Sequence, residues 1–176
     1  MIRVFLFGFM GAGKTTLGEA FASALGIDFI DLDQYIEAQQ GKTVRQIFAD
    51  SGEPEFRRIE SQALRQVADM ENVIIACGGS TPLIGDNMEY MKQKGQTVYL
   101  KVTNETLFRR LKEARAQRPL IASKNDQELM AYIESETVRR EPGYLKAEYT
   151  FQADLLESVD EIAGTIENLK KQLNIQ

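Results

Sequence analysis

The chain has 176 residues, 43% of them hydrophobic and 27% charged, and carries a net charge of −5. That describes one globular domain and excludes bulk nucleic-acid binding, which needs a basic face. There is no histidine and only one cysteine, which excludes a histidine general base, zinc held by His or Cys, and an intrachain disulfide. What remains is chemistry done by carboxylates, Lys, Arg, hydroxyls, backbone N–H groups and hard metal ions. No stretch approaches the roughly 18 apolar residues of a membrane span. The lone cysteine, with no secretory leader expected at the apolar N-terminal run, points to the cytoplasm.

Taken in order, apolar runs alternate with helical patterns, as in a parallel sheet covered by helices. Ile2–Phe7 reads as a buried strand and Lys14–Leu25 as the helix after it. Ile27–Asp31 is a second, short strand. Thr43-Val44-Arg45-Gln46 has the form of a capping box and opens a helix. A longer helix is expected from about Glu55 to Met70. Val73–Cys77 is continuous and β-branched, as a central parallel strand should be. Thr97–Val102 is another strand, with a helix after Thr103. Tyr149–Ala153 is the last strand. Ser158-Val159-Asp160-Glu161 is a second capping box, opening a helix that aligns Ile162, Ile166, Leu169 and Leu173.

Gly8-Phe9-Met10-Gly11-Ala12-Gly13-Lys14-Thr15 fits G-x-x-x-x-G-K-[ST] between a strand and a helix. Glycines let the backbone curl so that several N–H groups face phosphate oxygens. The helix dipole adds its positive end. Lys14 would neutralise β- and γ-phosphate charge, and the Thr15 hydroxyl would ligate Mg²⁺. The usual acid for that ion is missing after Val73–Cys77. Asp31-Leu32-Asp33 is the substitute, with both acids on one side if the strand continues through them. The competing reading of Asp33 is a helix N-cap.

Gly52–Glu60 combines a turn with a helix start. Arg57 there can make a bidentate contact to a carboxylate or phosphate, with Glu60 holding the guanidinium. The bland alternative is a surface ion pair. Gly78-Gly79 follows a central strand and would let a ligand approach the backbone. Residues 109–124 carry Arg109, Arg110, Lys112, Arg115, Arg118 and Lys124 against Glu113 alone. This reads as a solvated helix end or a cationic flap over an anionic ligand.

These segments, together with Arg118-Pro119-Leu120 and Arg140-x-Pro142-x-Tyr144, make the chain resemble shikimate kinases along essentially its whole length. The resemblance implies an α/β fold of the P-loop NTPase type, a three-layer sandwich with a central parallel sheet of about five strands and a mobile lid. It implies one domain over residues 1–176, with the lid at about 109–124 and the acceptor region at about 31–60. It implies transfer of the ATP γ-phosphate to the 3-hydroxyl of shikimate, in aromatic amino-acid biosynthesis. The implied catalytic residues are Lys14, Asp33 and Arg118. ATP would meet Gly11, Ala12, Gly13, Lys14, Thr15, Thr16, Arg110 and Arg118. Arg110 would stack on adenine, with Arg109 as the alternative register. Shikimate would meet Asp33, Arg57, Gly78, Gly79 and Arg140. Mg²⁺ would meet Thr15 directly, with Asp31 acting near the ion through water. A cytoplasmic monomer with no nucleic-acid or membrane partner is expected. Ser80 stands where the family carries a third glycine, so a positive φ is expected to strain it. Asp33, near a carboxylate's ordinary pKa of about 4, would be a weak base.

Rival readings are a gluconate or nucleoside monophosphate kinase and a non-catalytic ATP-binding module. A GTP-dependent switch is weaker still: Ser123-Lys124-Asn125-Asp126 only faintly matches the guanine-reading Asn-Lys-x-Asp.

Overall fold

The computed structural model describes residues 1–176. Five parallel strands form one sheet in the order β2-β3-β1-β4-β5: β1 (Arg3–Phe7), β2 (Asp28–Asp31), β3 (Val73–Ala76), β4 (Gln96–Lys101) and β5 (Tyr149–Gln152). This is the expected three-layer α/β architecture. Strand alternation builds two apolar layers. Val4, Leu6, Ile74, Val98 and Leu100 face one side, and Phe5, Phe7, Val73, Ile75 and Tyr99 face the other. Helices α1 (Lys14–Leu25), α5 (Asn104–Glu113), α6 (Asp126–Tyr144) and α7 (Val159–Leu173) contribute to the first layer. Helices α2 (Leu32–Gln40), α3 (Val44–Val67) and α4 (Asn87–Lys94) contribute to the second.

Both expected capping boxes are present, at Thr43 with Gln46 and at Ser158 with Glu161. A third, at Asn125 with Glu128, starts α6. That cap places Asn125, while Asp126 is paired with Lys112 and Arg115. Neither residue is arranged to read guanine, so the faint GTP-switch motif is a helix start. The two helices read on either side of Gly52 are continuous in hydrogen bonding but kinked there, with Gly52 at φ 80°. Pro54, in the first turn after the kink, costs no interior hydrogen bond. The second half ends at Val67, three residues before the expected Met70.

Strand β2 stops at Asp31, where its last pairing partner is Ala76, the end of β3. Helix α2 begins at once, and Asp31 is its N-cap, accepting from the Asp33 and Gln34 N–H groups. The strand therefore does not carry both acids on one side, and the capping role belongs to Asp31 rather than Asp33. Ser80 sits at φ −98° and ψ −14°, opening a 3-10 turn over Thr81–Leu83. The expected positive φ does not occur, so the third glycine of the family is not required by the backbone here.

Ile74, with no solvent exposure, lies at the centre of the first apolar layer. Ile74→Ala should lower unfolding stability by about 3 kcal/mol, as for other buried large-to-small changes. A reduced urea midpoint at unchanged slope is the check.

Candidate active site

The phosphate loop joins β1 to α1 above the carboxyl end of the sheet, where open α/β folds bind ligands. Gly13 caps α1 at φ 89°, and a side chain there would also collide with Leu156. Without a Cβ, the first turn of α1 opens onto a cavity of about 520 Å³. Gly11, Gly13, Lys14, Thr15 and Thr16 line it from the loop; Asp31 and Asp33 line it from the β2–α2 junction. Gly78 and Gly79 close the side after β3, and Arg110 and Arg118 reach it from the cationic segment. Ala12 is the exception among the expected loop residues: it is buried, with its side chain in the first apolar layer.

Lys14 Nζ donates to the Gly8 and Phe9 carbonyls at 2.9 and 3.0 Å. Burial, reinforced by the Arg118 charge, lowers its pKa to about 8 despite the nearby Asp33 and Asp31. Asp33 is pushed up to about 6 by burial, then by the charges of Asp31 and Glu60, with Lys14 opposing. It is therefore a stronger base than the ordinary carboxylate expected from sequence. Its Oδ1 is buried without a hydrogen-bond partner. Thr15 Oγ1 donates to Asp31 Oδ2 at 3.1 Å, so the two oxygens expected to serve Mg²⁺ are adjacent.

Arg110, not Arg109, is the residue on the cavity wall. Its guanidinium donates to Glu157 at 2.9 Å and to the carbonyls of Gly11, Ala153 and Asp154. The Arg109 side chain is 58% exposed. Residues 109–113 end α5, and the non-α-helical stretch that follows begins at Ala114. Arg118 lies there, its Nε buried without a partner and its pKa lowered by burial. Leu156 and Glu157, in the stretch before α7, also line the cavity. No motif in the sequence marked them.

Arg57 and Arg140 do not line this cavity but stand beside it. Arg57 is held by Glu60 at 3.0 Å and Glu53 at 3.3 Å, over the rings of Phe48 and Phe56. Glu60 is only 1% exposed and accepts from Thr81 Oγ1 at 2.8 Å. A Cβ on Gly78 would approach Glu60 and Asp33 within 3.3 and 3.6 Å, which brings the Arg57–Glu60 pair up to the glycine loop. Arg140 is held through Nε by Glu136 at 3.0 Å and lies over Phe9. Its Nη1 would be 3.3 Å from a Cβ on Gly79. The ion-pair reading of Arg57 is thus true as geometry, but the pair is buried at the cavity edge rather than solvated. Cys77 is buried and its thiol is raised by burial, as a small apolar filler should be.

A family model described as shikimate kinase matches residues 10–170. The chain belongs to the shikimate kinase family. It is 49% identical to the shikimate kinase of Phocaeicola vulgatus, over 99% of each chain. Its fold is similar to the crystal structure of shikimate kinase from Bacteroides thetaiotaomicron, at a TM-score of 0.95 and 47% identity over 99% of each chain. It is also similar to shikimate kinase from Acinetobacter baumannii in complex with shikimate, at a TM-score of 0.82 and 30% identity, covering 99% of this chain and 94% of that one. This membership removes the gluconate, nucleoside monophosphate and binding-module readings.

The buried Asp33 carries a pH signature. Its folded pKa of about 6 lies above the ordinary 3.8, so between those values the folded chain binds the extra proton and stability falls as pH rises. Asp33→Asn should abolish that fall. It should be more stable than the parent above pH 6 by on the order of 3 kcal/mol. Urea midpoints of both proteins from pH 4 to 8 measure this; parallel curves would contradict it.

Proposed function

We propose that this shikimate kinase transfers the ATP γ-phosphate to the 3-hydroxyl of shikimate, with Lys14, Asp33 and Arg118 as its catalytic residues. The observation that carries the reading is one cavity lined by both Lys14 and Asp33. A phosphate-binding cation there faces a carboxylate suited to an acceptor hydroxyl. The complex of the Acinetobacter baumannii relative with shikimate supports the acceptor.

The loop N–H groups and Lys14 hold the β- and γ-phosphates, and Arg110 forms the adenine-side wall. Arg57 and Arg140 take the shikimate carboxylate from two different helices, as guanidinium groups do well. The backbone of Gly78 and Gly79 passes beneath it. Asp33 orients the 3-hydroxyl toward the γ-phosphorus. The bond from phosphorus to the bridging oxygen breaks as the bond to the 3-hydroxyl oxygen forms, and the hydroxyl proton passes to the Asp33 carboxylate. A base with a pKa of about 6 is ionised at neutral pH and still accepts that proton. Arg118 and Lys14 stabilise charge on the transferred group and on the bridging oxygen. The Arg118 segment also excludes water, the competing acceptor.

The Thr15–Asp31 pair is a hard-oxygen donor set of the kind Mg²⁺ uses together with substrate phosphates. When bound, the ion supplies charge neutralisation at those phosphates. The negative net charge and the reduced, buried Cys77 fit a cytoplasmic enzyme with small-molecule partners rather than nucleic acid.

ADP formation from Mg-ATP should appear with shikimate and be absent with gluconate, with nucleoside monophosphates and without acceptor. ADP with a different acceptor would discard the roles of Arg57 and Arg140. Arg118→Ala should lower kcat by about 100-fold or more, with shikimate binding little changed. An unchanged kcat would remove Arg118 from catalysis.

A further inference from the structure

The Arg140-x-Pro142-x-Tyr144 motif brings a second group to the acceptor side besides its arginine. Tyr144 is the last residue of α6 and only 1% exposed. Its ring packs against Tyr99 at 5.0 Å and Phe7 at 6.0 Å between centroids, which leaves the hydroxyl little freedom. That hydroxyl donates to the Gly79 carbonyl at 2.5 Å. Burial raises the phenol, so it remains a donor throughout the working pH range.

The loop it holds is the one beneath the acceptor. The Gly78 carbonyl accepts from the Thr81 N–H at 3.1 Å, and the Ser80 carbonyl from the Leu83 N–H at 2.9 Å. These two bonds are local to the 3-10 turn. The Tyr144 bond alone ties a carbonyl of this loop to an element distant in sequence. The Gly79 N–H has no acceptor within the protein. Its peptide is trans, so the N–H points away from the anchored Gly78 carbonyl. A Cβ on Gly79 would meet the Gly8 carbonyl at 3.1 Å and Arg140 Nη1 at 3.3 Å. The loop is therefore fitted between the phosphate loop and Arg140. Gly143 lets α6 come this close, because a side chain there would collide with Leu83.

We propose that Tyr144 is a positioning residue for the acceptor carboxylate: its hydroxyl fixes the Gly79 peptide against Arg140, so that the free N–H and the guanidinium address one anion together. The hydroxyl touches no reacting atom. It acts through Gly79, and on shikimate rather than on ATP, whose loop is built from other residues. The proposal rests on the acceptor reading given above.

Tyr144→Phe keeps the packed ring and removes only the donor. In steady-state assays of the full chain, KM for shikimate should rise about tenfold, the weight of one buried hydrogen bond. KM for ATP should stay within twofold. With an analogue whose carboxylate is replaced by hydroxymethyl, parent and Tyr144→Phe should have equal KM. Leu83→Ala, which loosens the same helix end but leaves the hydroxyl, should not reproduce the split. An unchanged shikimate KM would overturn the proposal. So would parallel rises in both KM values, a tenfold penalty that persists on the analogue, or the same split in Leu83→Ala. Failure of the parent chain to turn over shikimate would instead sink the acceptor reading.

Discussion

Lys14 is a cation kept out of water, and the rest of the site is arranged around that fact. Burial alone disfavours the ammonium, and Arg118 adds to the penalty. The Gly8 and Phe9 carbonyls and the charges of Asp31 and Asp33 offset it. Each of those groups comes from the carboxyl end of a strand or from the turn or helix start that follows it. They converge only because β1 lies in the middle of the sheet, with β3 and then β2 on one side. The two apolar layers make this tolerable: alternate residues of every central strand are fully buried against helices. Charged groups held in a low-dielectric site interact strongly with an incoming polyphosphate and need little rearrangement on binding. The same burial raises the Asp33 carboxyl, as the proposed base role requires. Stability given up at these positions is what the apolar layers must cover.

Much of this was legible because it is local. The loop from Gly8 to Thr15 is contiguous, so its strand, its helix and its glycines could be read together. The strands of the sheet centre stand out as β-branched or aromatic runs, and their ends locate the site. The acids were harder. Asp31 and Asp33 both suit a helix start, and sequence alone does not say where the strand stops. Pairing decides it: β3 ends at Ala76, so β2 has no partner beyond Asp31. The chain turns there, making Asp31 the cap and leaving Asp33 free to face the cavity.

Contacts between distant loops left no trace in spacing. Tyr144 lies 65 residues from Gly79, and Thr81 lies 21 from Glu60, yet these bonds shape the proposed acceptor side. Ser80 misled for a related reason. A glycine-rich triplet suggests a positive φ, but the following Thr81-Pro82-Leu83 forms a 3-10 turn that accommodates serine in an ordinary conformation. Leu156 and Glu157 carry no motif; only their fold neighbours Gly13 and Arg110 reveal them as cavity wall.

The arginines assigned to the acceptor and to the transferred group, Arg57, Arg140 and Arg118, differ in how they are held, and the difference matches their proposed work. Arg57 is fixed by two glutamates and two aromatic rings, on the first turns after the kink at Gly52. Inserting one residue at that kink would turn the helix by about 100° and carry Arg57 off the site. Arg140 is fixed by Glu136 and Phe9. Side chains restrained in this way lose little freedom when a carboxylate arrives, which favours selective binding. Arg118 has no such tether: it follows a 3-10 turn in extended backbone, with Nε lacking a partner. A cation left unsatisfied beside Lys14 is repelled until phosphate charge enters between them. The nucleotide would then draw Arg118 onto the transferred group. In the proposed reaction, binding energy from the tethered arginines and charge stabilisation from the untethered one would thus fall at different stages.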